Sequence, residues 1–236
     1  MPLLESFKAL STNLSFYLIF IPFSIYVGFF NAVSSLINQI LSPYNYSETQ
    51  AGIAGGLLII VGLVTAAVTS PILDRTHAYL FAARALTPVI GAAYLAFTWA
   101  PQTRTDGAPF AILAVLGAAS FALVPAALEY LVEITFPVSP EVTSVICWAG
   151  GQLLGGVFIV VMNALKDGPT ANPPSNMHRA LVFQAVLCVA VVPLPQLLGR
   201  KFMGLGGDMR RRFLLDEAGE SPQGRQEGAG AQEGSV

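Results

Sequence analysis

Glu129 and Glu133 stand four residues apart in "LEYLVEIT" at 128–135, at the end of a long uncharged run. In a helix that spacing puts both carboxylates on one face. Such a pair suits general acid–base work, a metal site, proton coupling or a switchable ion pair. The first two need companions that the chain does not supply. His77 and His178 lie far apart in hydrophilic connections, without a second ligand at helical spacing, and Cys147 and Cys188 sit inside apolar runs. No phosphate-cradling loop or serine elbow is present, and the glycine-rich "GIAGG" and "GGQLLGG" are embedded in apolar sequence. Enzymatic chemistry is therefore not expected, nor is a cofactor, a metal or a nucleic-acid partner.

Other polar side chains also fall inside or at the ends of apolar runs. Asp74, Arg75 and Arg84 flank the connection near 77, and Glu141 follows Ser139-Pro140. Asn31, Ser34, Ser35, Asn38 and Gln39 recur at intervals of three and four, so that most of them share one helix face. Gln152 lies about ten residues, or roughly 15 Å, into its apolar segment. It is either interhelical glue or part of a solute site, since a buried amide in lipid must find a partner or water.

The elements that must position these residues follow from composition. The chain has 236 residues, of which 54% are hydrophobic and only 11% charged, whereas soluble domains carry about a quarter charged residues. A bilayer core requires about 20 apolar residues per helix, and six segments satisfy this: 14–41, 51–73, 78–100, 109–134, 142–165 and 180–198. The expected fold class is an all-α membrane protein of six transmembrane helices. Residues 1–13 read as a cytosolic lead-in, 14–198 as the transmembrane domain, and 199–236 as a cytosolic tail, largely disordered by composition. The spans carry prolines at 22, 88, 125, 193 and 195. Gly52–Gly56 and Gly151–Gly155 have the spacing that lets helices approach closely.

Six spans put Lys8, Arg75, Arg200, Lys201 and Arg210 to Arg212 on one side, against Arg104, Lys166 and Arg179 on the other. The excess of basic residues predicts that both termini are cytosolic. Asn45, in an Asn-Tyr-Ser acceptor sequence, is then an external glycosylation candidate. The same topology moves Glu129 and Glu133 away from the midplane to the cytosolic end of the fourth span. Three readings of the pair remain: solvation among lipid headgroups, a charge network with Arg75 or Arg84 that opens and closes, or proton coupling. The basic stretch near 200 is a candidate contact for membrane lipid.

Four stretches together resemble a known family: "GFFNAVSSLINQIL" (28–41), "TQAGIAGGLLIIVGLVTAAVTSPILDRT" (49–76), "LEYLVEITFPVSPEVTS" (128–144) and "GGQLLGG" (150–156). They are similar to the seventh, eighth, tenth and eleventh helices of the feline leukaemia virus subgroup C receptor-related transporters, solute carrier family 49 of the major facilitator superfamily. The resemblance implies twelve helices in two halves, each an inverted 3+3 repeat, with a small organic solute (choline-like, haem-like or vitamin-like) carried between them. This chain would be the C-terminal half, working with an N-terminal six-helix half or a second copy, in the plasma membrane or the vacuole or lysosome. A non-transporting six-helix protein that binds a partner is the alternative.

The resemblance also implies residue roles. Gln152 falls on a pocket-lining glutamine, and the polar stripe of Asn31, Ser35, Asn38 and Gln39 read from spacing is expected along the same substrate pathway. Asn31 stands where some choline-transporting members have a cage-forming tyrosine, a departure that removes a cation–π contact worth roughly 0.5–2 kcal/mol; Tyr26 and Trp148 are the aromatic residues nearby in the pattern. Asp74 and Arg75 match a cytosolic loop motif whose acid meets the start of the eleventh helix, here Ser139 to Thr143. Arg84, Glu129 and Glu133 complete the expected cytosolic gate.

Overall fold

The computed structural model describes residues 3–198, and among these every regular element is helical. The tail expected over 199–236 lies outside the described residues. The helices start where side chains can satisfy free backbone N–H groups. Asn13 Oδ1 accepts from Phe16 N at 3.2 Å and opens α2 (Leu14–Leu41), after a short α1 (Leu3–Ser11) in the lead-in. Ser47 and Gln50 form a reciprocal capping box that opens α3 (Glu48–Thr76). The α4 helix (Tyr79–Phe97) follows a connection of two residues, and α5 (Gly107–Thr135) follows a 3-10 turn over Ala100–Thr103. Ser139 Oγ accepts from Val142 N and, with Pro140 at the first helical position, opens α6 (Pro140–Ala164). The chain continues through α7 (His178–Ala190) and α8 (Pro193–Leu197).

Six of these stretches are long and apolar enough to cross a membrane: Leu14–Tyr44, Glu48–Thr76, Tyr79–Phe97, Gly107–Thr135, Pro140–Ala164 and His178–Leu197. They coincide with the six expected spans to within a few residues. The sixth differs in kind. Where sequence predicts one helix over 180–198, the chain turns at Val191 and Val192 and restarts at Pro193, because proline has no N–H to continue the ladder but is well suited to the first turn. Pro22, Pro88 and Pro125 do lie inside helices, as does Pro71.

The helices pack in two tight pairs, α3 along α5 and α2 along α6, with α4 filling the space between α5 and α7. The α2 helix also touches α3, α5, α7 and α8, which makes it the hub. Close approach depends on glycine in particular places. A Cβ on Gly117 would lie 2.0 Å from the Leu58 carbonyl oxygen, so α3 and α5 meet backbone to backbone. On α6, a Cβ at Gly151 would fall 2.6 Å from Val27 and one at Gly155 would fall 3.1 Å from Asn31. The Gly52–Gly56 pair does not work this way, since both positions face open space.

A layer of aromatic rings ties α2, α6 and α7 together. Phe29 stacks on Phe158 with centroids 3.9 Å apart, and Phe183 meets both edge-on. By contrast, Ile60, Leu63, Val64 and Val68 of α3 and Leu153 and Val160 of α6 are exposed. Apolar faces of that extent suit hydrocarbon or another helical body.

Candidate functional site

Between α2, α3, α5 and α6 lies a cavity of about 440 Å³, within the roughly 300–1,000 Å³ range of small-molecule sites. Its wall is mainly aromatic and aliphatic. Phe23, Tyr26, Val27, Phe30 and Asn31 come from α2, Ala66 and Ser70 from α3, Ser120 to Pro125 in part from α5, and Trp148 from α6. The α2 residues recur at three- and four-residue steps, so one face of the helix forms the wall. Phe30 meets Phe121 edge-on at 5.6 Å, and Phe23 meets Trp148 at 5.9 Å. No charged side chain is among the lining residues.

Three polar groups interrupt this surface. Asn31 Nδ2 donates to Gln152 Oε1 at 3.0 Å, joining α2 to α6 at the cavity wall. Gly155 makes room for that bond, because any larger residue would press on the Asn31 side chain. Ser120 Oγ is buried and has no hydrogen-bond partner among the described residues, and Ser70 also lines the cavity. An unpaired hydroxyl in an apolar wall is a natural contact for a bound polar group or a water.

Of the five residues expected along the pathway, Asn31 and Gln152 are thus brought together. Ser35, Asn38 and Gln39 are exposed further along α2 and do not line this cavity, and Gln152 is exposed and reaches the lining only through its bond to Asn31. Ser34 turns back locally, its hydroxyl donating to the Asn31 carbonyl. Tyr26 does reach the cavity, but its hydroxyl points into the bundle and donates to the Cys188 carbonyl at 3.1 Å. Sequence reasoning missed Phe23, Phe30, Ser70, Ser120 and Phe121 as lining residues. Phe23 and Phe30, seven apart on α2, carried a helical signal; the α3 and α5 contributions did not.

At the end of the bundle that holds the α3–α4 and α5–α6 connections, the acidic pair divides. Glu133 is buried, whereas Glu129 is exposed. Thr135 Oγ1 lies 3.2 Å from Thr143 Oγ1 and links the end of α5 to the start of α6 beside them. Asp74 and Arg75 are exposed at the end of α3. Arg84 turns toward α8: Nε donates to the Pro195 carbonyl at 3.3 Å and Nη2 to the Leu198 carbonyl, while Gln196 Nε2 donates back to the Arg84 carbonyl at 2.7 Å. The guanidinium expected as a partner for the acids is thus directed to α8 and the residue after it. At the opposite end, Asn45 is exposed in a left-handed turn, φ 70°, and its neighbour Ser47 is the α3 cap.

No protein-family profile matches the chain. It is, however, similar to curated transporters. Over 190 residues it is 28% identical to solute carrier family 49 member A3 of Xenopus tropicalis, which covers 77% of this chain and 38% of the relative. It is 26% identical over 222 residues to the choline/ethanolamine transporter FLVCR1 of Felis catus, covering 92% and 39%. With the choline/ethanolamine transporter flvcr2a of Danio rerio it shares 27% over 165 residues, covering 70% and 35%. The chain therefore resembles solute carrier family 49, and it spans about two fifths of the length of these relatives. Six apolar helices and this likeness make it a multi-pass membrane protein whose all-α fold corresponds to half a major facilitator transporter.

Proposed function

From a chain similar to solute carrier family 49, we propose one six-helix half, the C-terminal one, of a transporter that carries a small organic solute by alternating access. The observation that carries this reading is the uncharged aromatic cavity with Asn31 in its wall, held from outside the lining by Gln152. It is one side of a path; the opposite side comes from an N-terminal six-helix half or a second copy. In this topology both termini are cytosolic and Asn45 faces outside, in the plasma membrane or a vacuolar or lysosomal membrane.

The wall's chemistry discriminates among solutes. Phe30, Phe121 and Trp148 offer π faces, and a cation over such a face gains about 0.5–2 kcal/mol. A haem-like solute carries carboxylates, for which the lining residues provide no basic partner. A small cationic or neutral solute with one polar group, as choline and ethanolamine are, fits best. Trp148 is placed to take the role of the aromatic residue absent at position 31. Asp74, Arg75, Arg84, Glu129 and Glu133 form the cytosolic gate, and their placement at one end of the bundle supports it.

One experiment tests both assignments. The chain is co-expressed with the N-terminal half of a relative in cells without background choline uptake, and influx of labelled choline and ethanolamine is measured. Saturable uptake is expected, with Gln152→Ala reducing it about tenfold at unchanged membrane level, through loss of the hydrogen bond that holds Asn31 at the cavity wall. Glu133→Gln should alter the ratio of influx to efflux and leave solute preference alone. Absence of uptake by a pair that co-purifies, or full uptake with Gln152→Ala, would overturn the reading.

A further inference from the structure

A second cavity, of about 460 Å³, opens at the other end of the bundle from the gate. It is built by connections far apart in sequence: Tyr44 after α2, Gln102 and Arg104 between α4 and α5, Asp167 and Asn176 between α6 and α7, and His178 and Arg179 at the start of α7. Its character is the reverse of the first cavity, since two guanidinium groups, an imidazole and several amides converge there.

The groups are held in place by a network. Gln102 Nε2 lies 3.0 Å from His178 Nδ1, which leaves the ring's Nε2 to carry the proton when the amide donates. Asn176 Oδ1 accepts from His178 N at 3.1 Å, and Asp167 N donates to the Asn176 carbonyl at 2.9 Å. Arg179 engages Asp167 Oδ1 through Nε at 3.1 Å, while its side chain is 75% exposed. The outer edge of that guanidinium is therefore open. Arg104 makes no ion pair or side-chain hydrogen bond with a described residue.

The backbone of Arg104 places it at the cavity mouth. It has φ 53°, closing the 3-10 turn in the left-handed region. Glycine occupies that region without steric cost, and an arginine does not. The same left-handed cap closes helical elements at Asn45 and His77; at Arg104 it sets the residue at the mouth of the cavity. Among the lining residues, two arginines outweigh the single carboxylate of Asp167. Lys166 is exposed beside it, and Asp106, two residues beyond Arg104, is occupied by Gln50 Nε2 at 2.7 Å.

We propose that this cavity binds an oxyanion of the phosphate class, with Arg104 and Arg179 as its two forks and His178 as an additional donor. Guanidinium forks match phosphate geometry and bind it through paired N–H groups. The phosphate comes either from a soluble phosphate compound or from a lipid headgroup at the membrane surface. The assignment is independent of the solute carried through the central cavity.

The test uses the purified full chain in dodecyl maltoside. Binding of labelled inorganic phosphate is measured by equilibrium dialysis at constant ionic strength, and retention of phosphatidylglycerol against diacylglycerol by native mass spectrometry. Arg104→Gly suits this position, because it removes the guanidinium while relieving the backbone; Arg179→Gln is the second variant. Circular dichroism and a single gel-filtration peak establish that each is folded. Saturable phosphate binding weakened about tenfold by each of the two variants supports a soluble ligand. Phosphatidylglycerol retention lost in both variants, without phosphate binding, supports the headgroup. If neither ligand is held, or both are held equally by folded Arg104→Gly, the assignment is wrong.

Discussion

Gly117 shows how much of this molecule depends on single side chains, or on their absence. Its Cα faces the Leu58 carbonyl so closely that an added methyl would sit 2.0 Å from the oxygen, and a backbone atom cannot swing aside as a flexible side chain can. Gly117→Ala should destabilise the bundle at or beyond the upper end of the roughly 1–3 kcal/mol typical of overpacking. Gly156→Ala, on a face with nothing within 4 Å, should be neutral. Thermal unfolding of the two variants in detergent checks the contrast, and equal midpoints would count against the backbone contact. The Asn31–Gln152 bond belongs to the same scale: a larger residue at Gly155 would crowd Asn31, so the glycine and the polar pair act as one unit.

Among the elements, α8 has the least support of its own. It is five residues long and begins at a proline, far below the length at which a helix is stable alone. Its carbonyls at Pro195 and Leu198 are held by Arg84 of α4, and Gln196 returns a bond to the Arg84 carbonyl. Arg84→Gln should therefore accelerate amide exchange across 193–198 and leave α5 unchanged, with a loss of roughly 1–3 kcal/mol for the charge-assisted bonds. Hydrogen exchange read by mass spectrometry makes the comparison; unaltered exchange in α8 would show that packing alone holds it. The α3 helix presents the opposite case, long and capped at its start, yet covered mainly along its α5 side, with much of its apolar surface left open.

For the whole molecule, the open apolar faces of α3 and α6 and the cavity among four helices bear on the same proposal. In the proposed transporter the remaining side of the path comes from another six-helix body. The purified chain alone in liposomes should bind but not accumulate labelled choline, and co-reconstitution with an N-terminal half should restore uptake. Uptake by the chain alone would mean that two copies complete the path, and chemical crosslinking would then trap a dimer. Total absence of uptake from both preparations, with both proteins inserted, would favour the non-transporting alternative.

The number of spans and their limits were legible from composition, because about 20 uninterrupted apolar residues have few other fates. Caps such as Ser139-Pro140 and the lone amide Gln152 were legible for the same kind of reason, each being a local departure from an apolar background. The break at Val191 was harder, since prolines at 193 and 195 are compatible with a kink or a restart, and the contacts with Arg84 accompany the restart. Which glycines pack was not legible: Gly52–Gly56 and Gly151–Gly155 have identical spacing, yet only the second pair faces another helix. Periodicity assigns residues to a face of their own helix, whereas rotation against neighbours is a property of the assembled bundle. For that reason only the tertiary structure joined Asn31 to Gln152, gathered Phe30, Phe121 and Trp148 around one cavity, and brought Arg104 and Arg179 to the mouth of another.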